Sequence, residues 1–272
     1  MLVQYTECLF KDYQHMVMPK ISIVTICYNC NDYIEGTILS VIRQNYPNME
    51  YIIIDGGSTD GTLDVINKYS SDINVLISEK DCGIYDAMNK GILKMTGDWG
   101  VFMNAGDIFY DETVLSKVFN GKLLNQYDLI YGDCVYRYLY KKMERYIKAK
   151  PIESITKHMA FSHQSLFVKT MLLKKKMFDL KYKLAADYNM ILSFYQEGKN
   201  FYYVSYPISV VTMDVGQTAN NSKLSDYEVR EIKIKSGINI IICYFDFYKN
   251  RFRKSIVKIL VNLLPKAVVK GF

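Results

Sequence analysis

The stretch YIIIDGGSTDGT, residues 51–62, decides the fold class. Its first four residues are apolar and mostly β-branched, which is typical of a buried strand. The strand ends at Asp55, and a glycine-rich turn follows it. Asp60 stands where a side-chain oxygen commonly caps the first turn of a helix, so the sequence predicts a helix that continues to about residue 69. A strand, a turn and a helix in this order form the repeating unit of an α/β fold.

The same order of elements continues on both sides of this stretch. ISIVTIC (21–27) precedes it as a second apolar strand, and INVLI (73–77) and DWGVFMN (98–104) follow it. Helices are predicted between the strands, at about 33–45 and 85–95, because apolar residues recur there at spacings of three and four. The alternation predicts an α/β fold with a largely parallel sheet. Such sheets bind ligands outside the carboxyl ends of their strands.

The second half of the chain is less regular. It contains a predicted strand pair or hairpin, DLIYGD and CVYRYLYKK, at 128–142. A short strand and two helices are predicted at 163–169, 186–197 and 223–236. FYYVSYPISVV (201–211) is predicted to be an edge strand, because Pro207 has no N–H to donate to a neighbouring strand.

Charge is concentrated at the C-terminal end. The chain has a net charge of +6, and residues 237–272 carry seven basic side chains against Asp246 alone. A neutral body with a basic end argues against a broad nucleic-acid surface, so no nucleic-acid partner is expected. Apolar residues at helical spacing predict an interfacial helix with basic anchors, which would lie on the inner-membrane surface. The alternative is a helix that packs on the body of the protein.

The N-terminal residues and the cysteines indicate a cytoplasmic protein. Residues 1–18 contain Glu7 and Asp12 and no long apolar core, so a poorly ordered leader is expected rather than a secretory signal. The six cysteines show no disulfide spacing, and CYNC (27–30) lacks the second ligand pair of a structural zinc site.

Polar residues cluster at the predicted strand ends and helix starts. In DGGSTDGT, Asp55 has the right chemistry to accept hydrogen bonds from a base or ribose, and Gly56 allows close approach of a ligand; a tight turn is the alternative. Asp86 and Asn89 share one helix face, where they either contact a ligand or solvate the helix start. In MNAGD, Asp107 can ligate Mg²⁺ or Mn²⁺ and Asn104 can add a neutral oxygen, unless the segment is only a turn.

Two later segments add candidates for proton transfer and for contact with a second substrate. Asp187, in LAADYNMIL, stands at a helix start, where it is either a first-turn residue or a general base. FSHQSLF supplies His163 and Gln164, which are either structural or in contact with an acceptor sugar or a diphosphate.

These segments together resemble family 2 glycosyltransferases, in particular bacterial enzymes of surface-polysaccharide assembly. The order ISIVTICYN, YIIIDGGSTDGT, EKDCGIYDAMNKGI, VFMNAGD, LIYGD, SHQSLF and LAADYNMIL matches the family over about residues 19–215. The resemblance implies a GT-A fold, a nucleotide-sugar donor (UDP-linked by family habit) and inversion at the anomeric carbon.

The resemblance also implies roles for individual residues. Asp187 matches the catalytic base, and Asp107 matches the last acid of the Asp-x-Asp-type motif that holds Mn²⁺ or Mg²⁺. The donor-binding residues implied are Asp55, Gly56, Ser58, Asp60, Asp86, Asn89 and Asn104. Asp133, His163 and Gln164 are the implied acceptor contacts. The chain departs from the family at Asn104 and Ala186, where many members have acids, which puts metal affinity in question.

The predicted organisation follows from these assignments. Residues 1–18 are a leader, 19–236 a GT-A catalytic domain, and 237–272 a basic amphipathic tail. Within the domain, 19–107 form the nucleotide-sugar half and 108–236 the acceptor half. The expected reaction is transfer of one hexosyl or N-acetylhexosaminyl group to a lipid-linked saccharide, at the cytoplasmic face of the membrane.

Three other functions were weighed. A nucleotidyltransferase that makes nucleotide sugars should carry an Arg-containing, glycine-rich loop after the first strand, where this chain has YNCND. A processive synthase would need membrane spans and a Gln-x-x-Arg-Trp motif, but Trp99 is the only tryptophan. A catalytically silent sugar-binding protein would be favoured by loss of Asp107 or Asp187, and both are present.

Overall fold

Seven elements that alternate between strand and helix build the first half of the molecule. A computed structural model describes residues 18–120, 124–214, 222–249 and 252. In chain order the elements are β1 (Ile21–Cys27), α1 (Ile34–Ile42), β2 (Met49–Asp55), α2 (Thr62–Asn67), β3 (Val75–Ser78), α3 (Ile84–Lys94) and β4 (Trp99–Phe102). The predicted elements are therefore present, with shorter helices at α1 and α2. Asp60 is not the residue that caps α2; Gly61 precedes the helix, and Asp60 Oδ1 accepts a hydrogen bond from Thr62 N at 3.0 Å.

The second half continues the same sheet with mixed strand directions. Its elements are β5 (Ile108–Phe109), α4 (Val114–Phe119), β6 (Leu129–Tyr138), β7 (Met143–Ile147), β8 (Leu166–Lys169), α5 (Thr170–Lys176), α6 (Ala186–Gln196), β9 (Phe201–Thr212) and α7 (Ser222–Lys235). Residues 240–249 form a further helix, α8. The segment His163–Ser165, predicted as strand, is a short 3₁₀ turn before β8.

Within the described residues, nine strands form one sheet in the order β3-β2-β1-β4-β8-β6-β9-β5, with β7 paired to β6. The strands from β3 to β4 are parallel, as predicted, but β8 is antiparallel to both of its neighbours. The sheet is thus parallel in its first half and mixed in its second.

The prediction that β9 is an edge strand is wrong. β9 pairs with β6 on one side and with β5 on the other. Pro207 is tolerated because it lies opposite Asp133, where the register between β6 and β9 shifts. A bulge leaves a residue out of the hydrogen-bond ladder, so a missing N–H costs little there.

Two apolar layers cover the sheet because side chains of a strand point alternately to its two faces. Val24 and Ile26 of β1 pack with α3 and α6 on one face. Ile21 and Ile23 pack with α1 and α4 on the other face, beside Trp99 at the start of β4. This burial on both faces explains why the first strands are continuous apolar runs.

The predicted leader and most of the predicted tail, residues 1–17, 250–251 and 253–272, lie outside the described residues. The first part of the tail is described and packs on the domain through Cys243 and Phe247, which are 1% and 6% exposed.

Candidate active site

The strand order places a crevice at the carboxyl ends of β1 and β4. β1 lies between β2 and β4, so the chain winds in opposite directions from this point, which is where α/β sheets bind ligands. A cavity of about 1060 Å³ opens there. Its walls include the loop after β1, the loop after β4, the starts of α3 and α6, and residues 147–150 and 157–164. Among the predicted site residues, Asn104, Asp107, His163, Gln164 and Asp187 line it.

The glycine-rich turn supports this cavity instead of lining it. Asp55 is fully buried; it accepts hydrogen bonds from Gly57 N, from Ser58 N and Oγ, and from Ser78 Oγ, at 2.5–3.1 Å. Gly57 adopts φ +81°, a region that favours glycine. The oxygens of Asp55 thus hold the turn, and its contact with a base or ribose stays a prediction.

The glycine-rich turn also holds the loop after β1. Ser58 Oγ accepts from Asn29 N at 2.8 Å, Asn29 Oδ1 accepts from Thr59 N at 2.9 Å, and Asp60 Oδ2 accepts from Asn31 N at 3.1 Å. Ser58 and Asp60 thus position the loop after β1, and they are not among the described residues that line the cavity. Gly56 lies beneath Asp81, whose Oδ2 would be 2.5 Å from a Cβ at that position.

Three further predicted contacts are also used within the protein. Asn89 exchanges two hydrogen bonds with the backbone of Phe178, at 2.8 and 2.9 Å. Asp86 accepts from Cys82 N at 2.9 Å and lies 3.7 Å from Lys90 Nζ. These two residues therefore stabilise the surroundings of α3, and their contact with a nucleotide stays a prediction.

Asp133 is the third. It is 1% exposed and accepts from Tyr203 Oη and Ala149 N, both at 2.8 Å, and from the Tyr146 hydroxyl. A buried carboxylate with this many donors fixes the strand pair β6–β7, and its contact with an acceptor stays a prediction.

Asp107 forms a buried corner at the end of β4. Its Oδ2 accepts from Gln164 Nε2 at 2.7 Å and its Oδ1 accepts from Thr212 N at 2.9 Å. Burial raises the pKa of Asp107 to about 6, against these two hydrogen bonds, which lower it. Gln164 positions Asp107, and its Oε1 accepts from Ser162 Oγ at 2.5 Å. Gln164 also lines the cavity, and its contact with the acceptor stays a prediction.

A chain of polar contacts joins this corner to Asp187. Asn104 Nδ2 lies 3.2 Å from His163 Nε2, and His163 Nδ1 lies 3.5 Å from Asp187 Oδ2. Burial lowers the pKa of His163, although nearby Asp187 opposes this, so the imidazole is neutral at pH 7. Tyr85 Oη donates to the other oxygen, Asp187 Oδ1, at 2.9 Å. Asp187 is therefore held from two sides in the first turn of α6, with 16% of its side chain exposed.

The donor atoms at the Asn104–Asp107 corner suit a hard divalent cation. Asn104 Oδ1 is buried and has no hydrogen-bond partner among the described residues. Each oxygen of Asp107 accepts one hydrogen bond and retains further lone-pair capacity. The described residues contain no group of three His, Cys, Asp or Glu that would hold an ion by itself. The corner therefore fits a cation that takes its other ligands from a diphosphate and water, as Mg²⁺ commonly does.

Sequence reasoning missed part of the cavity wall. Tyr28, Asn29 and Asp81 face the cavity, and Tyr85 contacts Asp187. The position of Tyr28 and Asn29 directly after β1 was a usable signal, because this is where parallel sheets bind ligands. The segment 148–158, from which Lys148, Lys150, Lys157 and His158 line the cavity, carries no recognisable motif.

Comparison with solved structures defines the class of protein. The chain is similar to S. aureus TarS 1-349 in complex with UDP-GlcNAc, with a TM-score of 0.63 and 18% identity over 81% of this chain and 67% of that one. It is also similar to the mannosyltransferase PcManGT from Pyrobaculum calidifontis in complex with GDP-Man and Mn²⁺, with a TM-score of 0.58 and 14% identity over 93% and 84%. The protein therefore has the GT-A glycosyltransferase fold, as predicted.

The sequence then gives the family. The chain belongs to glycosyl transferase family 2, whose model matches residues 22–180. A PGL/p-HBAD biosynthesis glycosyltransferase of Mycobacterium bovis (strain BCG / Pasteur 1173P2) is 30% identical over 181 residues, which are 64% of this chain and 69% of that protein. The putative teichuronic acid biosynthesis glycosyltransferase TuaG of Bacillus subtilis (strain 168) is 38% identical over 92 residues, 33% of this chain and 36% of TuaG. The predictions of a family 2 enzyme and of glycosyltransferase activity are confirmed.

Proposed function

We propose that the protein transfers one sugar from a UDP-linked donor to a hydroxyl of a lipid-linked saccharide in bacterial polysaccharide biosynthesis, with inversion at the anomeric carbon. One observation carries the proposal. Asp187 is fixed by Tyr85 and His163 at the wall of the cavity that also contains the Asn104–Asp107 corner, and His163 lies between the two. The biosynthetic context is supported by the names of similar proteins, and UDP by TarS in complex with UDP-GlcNAc.

The reaction is a single displacement. The acceptor hydroxyl oxygen forms the new bond to the anomeric carbon, and the bond from that carbon to the donor diphosphate breaks. The leaving diphosphate keeps the electron pair, and Asp187 takes the hydroxyl proton. Because the attack comes from the face opposite the leaving group, the configuration inverts.

The contacts of Asp187 explain how it does this. Tyr85 donates to Oδ1, and His163, which is neutral, lies beside Oδ2. Both neighbours restrict rotation of the carboxylate, so it meets the acceptor in one orientation, and proton transfer by a positioned base typically contributes 10²–10⁴-fold.

A divalent cation, Mn²⁺ or Mg²⁺, is the proposed cofactor, held by Asp107 and Asn104 together with the donor. When bound, it neutralises the charge that develops on the leaving diphosphate. Within the chain, Gln164 and Thr212 hold Asp107 in place at this corner.

The deciding experiment measures release of nucleoside diphosphate from a panel of nucleotide sugars, with and without acceptor extract. Asp187→Asn should lower turnover by about 10²-fold or more, because the base is lost, while donor affinity stays within about twofold. Asp72→Asn, which makes the same change at an exposed carboxyl outside the cavity, is the matched control. Equal turnover in Asp187→Asn and the control would exclude Asp187 as the base.

We also propose that α8 lies on the membrane surface. Its buried face contains Cys243 and Phe247, whereas Ile241, Phe245 and Tyr248 are 76%, 67% and 62% exposed at helical spacing. An apolar stripe beside basic residues is typical of an interfacial helix. The buried face of α8 agrees with the predicted packing of the tail on the domain. The exposed face is the one that we propose to contact the membrane. No described helix is long and apolar enough to cross a bilayer.

Cosedimentation with anionic vesicles tests this surface. Phe245→Asp with Ile241→Asp should reduce the bound fraction severalfold, because burial of two large apolar side chains is lost. Leu93→Asp, at an apolar side chain of α3 that is 64% exposed, is the control. Unchanged sedimentation of the double variant would refute membrane contact through α8.

A further inference from the structure

The cavity has a second end with the opposite charge. Asp81, Asp107 and Asp187 line the end described above. Six basic residues line the remainder of the wall, against Asp226 and Asp246: Lys148, Lys150, Lys157, Lys183, Arg230 and Lys233. We call these six residues the basic end.

Contacts bring three members of the basic end, Lys150, Lys157 and Lys233, close together around His158. Lys233 Nζ donates to the carbonyl oxygen of Lys157 at 2.5 Å and lies 3.4 Å from Asp246 Oδ2. Lys150 Nζ lies 2.6 Å from His158 Nε2. Burial lowers the pKa of His158, and Lys150, Lys233 and Lys157 lower it further. Burial is the larger cause of this lowered pKa, and the three lysines around His158 mark a region of positive potential.

Part of this charge lacks a carboxylate partner among the residues that the structure describes. Within the described chain, no ion pair joins Lys148, Lys157 or Lys183 to an acid. Exposed lysines on a convex surface are solvated and need no further partner. Here they converge on a concave wall, where like charges repel and a multivalent anion would relieve the repulsion.

The position of the basic end relative to Asp187 indicates which of the two substrates, donor or acceptor, carries this anion. The donor diphosphate has its own place at the Asn104–Asp107 corner, on the proposed function. The acceptor must present a hydroxyl to Asp187, and the rest of the acceptor extends along the remaining wall. An anion at the basic end therefore belongs to the acceptor.

The wall next to the basic end also faces an apolar surface. Arg230 lies over the ring of Phe247, 4.4 Å from its centroid, and Phe247 belongs to the buried face of α8. The opposite face of the same helix carries the exposed side chains Ile241 and Phe245. A phosphate group with an attached hydrocarbon chain matches this combination of a basic wall and an apolar exit.

We propose that the basic end binds a phosphate or diphosphate ester of the acceptor. This rests on the proposed function for the identity of the acceptor, but the binding site can be tested without turnover. The phosphate comes either from a lipid carrier or from a water-soluble phosphorylated saccharide, and the two sources share the same contacts with the lysines.

The experiment is calorimetric titration of the full chain, saturated with UDP so that the donor site is filled. The probes are octyl phosphate below its micelle concentration, octyl glucoside with the same chain and no charge, and inorganic phosphate. Lys150→Ala with Lys157→Ala removes two exposed ammonium groups from the basic end. Lys174→Ala with Lys175→Ala makes the same charge change on the outside of α5.

The unchanged chain should bind octyl phosphate, and the Lys150/Lys157 variant should bind it at least tenfold more weakly, as expected when charge-assisted contacts are lost. The control variant should stay within twofold. Equal binding by both variants, or equal binding of octyl phosphate and octyl glucoside, would overturn the proposal. If inorganic phosphate binds as tightly as octyl phosphate, the site is supported and a soluble source is assigned; tighter binding of octyl phosphate assigns a lipid source.

Failure of the proposed function gives a different result. If the protein binds the phosphate probe but neither binds UDP nor releases it from a donor, the phosphate site is supported and the proposed UDP-linked donor is refuted. If the Lys150/Lys157 variant turns over donor normally with every acceptor, the phosphate site is refuted and the proposed transfer reaction is not.

Discussion

Asp107 offers the sharpest test of the corner, because a buried carboxylate with a raised pKa must lower stability when it ionises. The ordinary pKa is 3.8 and burial raises it to about 6 in the folded protein. Each pKa unit corresponds to 1.36 kcal/mol, so ionisation of Asp107 costs the folded state about 3 kcal/mol. Between these two pKa values the folded state binds more protons than the unfolded state, so stability falls as pH rises.

The perturbation is Asp107→Asn, which removes the charge and keeps one oxygen acceptor. The contributions of other titrating groups to the free energy of unfolding cancel when the variant is compared with the unchanged chain at each pH. Relative to the variant, the unchanged chain should lose about 2 kcal/mol of unfolding free energy between pH 4.5 and pH 7.5, most of it below pH 6. The absolute offset between the two proteins also contains the lost hydrogen bond with Gln164 or Thr212, so only the change with pH is interpreted.

Urea unfolding followed by far-ultraviolet circular dichroism gives both free energies by linear extrapolation. A difference that stays constant within about 0.5 kcal/mol across this pH range, or that changes in the opposite direction, would refute a raised pKa at Asp107. Saturating UDP and Mn²⁺ should stabilise the unchanged chain more at pH 7.5 than at pH 5, because the ionised carboxylate is the ligand.

Three further predictions concern Tyr85, the buried carboxylate of Glu50 and the metal affinity of the Asn104–Asp107 corner. Tyr85→Phe removes the donor 2.9 Å from Asp187 Oδ1, so kcat should fall about tenfold, as for one hydrogen bond to a charged group, with the donor KM unchanged; a change in KM alone in steady-state kinetics would contradict it. Burial alone would raise the pKa of Glu50, but hydrogen bonds from Lys20, Ser22 and Thr96 outweigh it and lower the pKa from 4.5 to about 2. Glu50→Gln should therefore cost about 3 kcal/mol in urea unfolding at pH 7, and the difference should disappear as pH falls from about 4.5 towards 2. Mn²⁺ titrated by electron paramagnetic resonance should bind at least tenfold more tightly with saturating UDP than without, since the corner offers few ligands of its own; equal affinities would count against a site completed by the donor.

The sequence predicts the first half of the fold well because each signal there is local. Apolar β-branched runs mark β1 and β2, and residues that can end a helix or start a turn separate them. The second half depends on pairing between distant segments, which periodicity does not encode. β9 shows this, because the edge-strand prediction relied on Pro207 alone, and the bulge opposite Asp133 is a property of two strands together.

The site shows the same division. Residue type, together with position at a strand end for Asn104 and Asp107 and at a helix start for Asp187, pointed to residues that line one cavity. The direction in which a carboxylate points is decided by its neighbours, and Asp55 and Asp133 are turned inward by donors from their own surroundings. The lysines of the basic end escaped prediction because they come from separate segments and meet only in the folded chain.

The position of Trp99 has a practical consequence for spectroscopy. The only tryptophan of the sequence begins β4, is 4% exposed and packs against Phe119 with 5.8 Å between ring centroids. It therefore stands at the end of the strand opposite the one that opens into the cavity. Its emission should follow global unfolding while remaining nearly silent to substrate, so an emission change on adding a ligand would report a rearrangement transmitted along the whole strand.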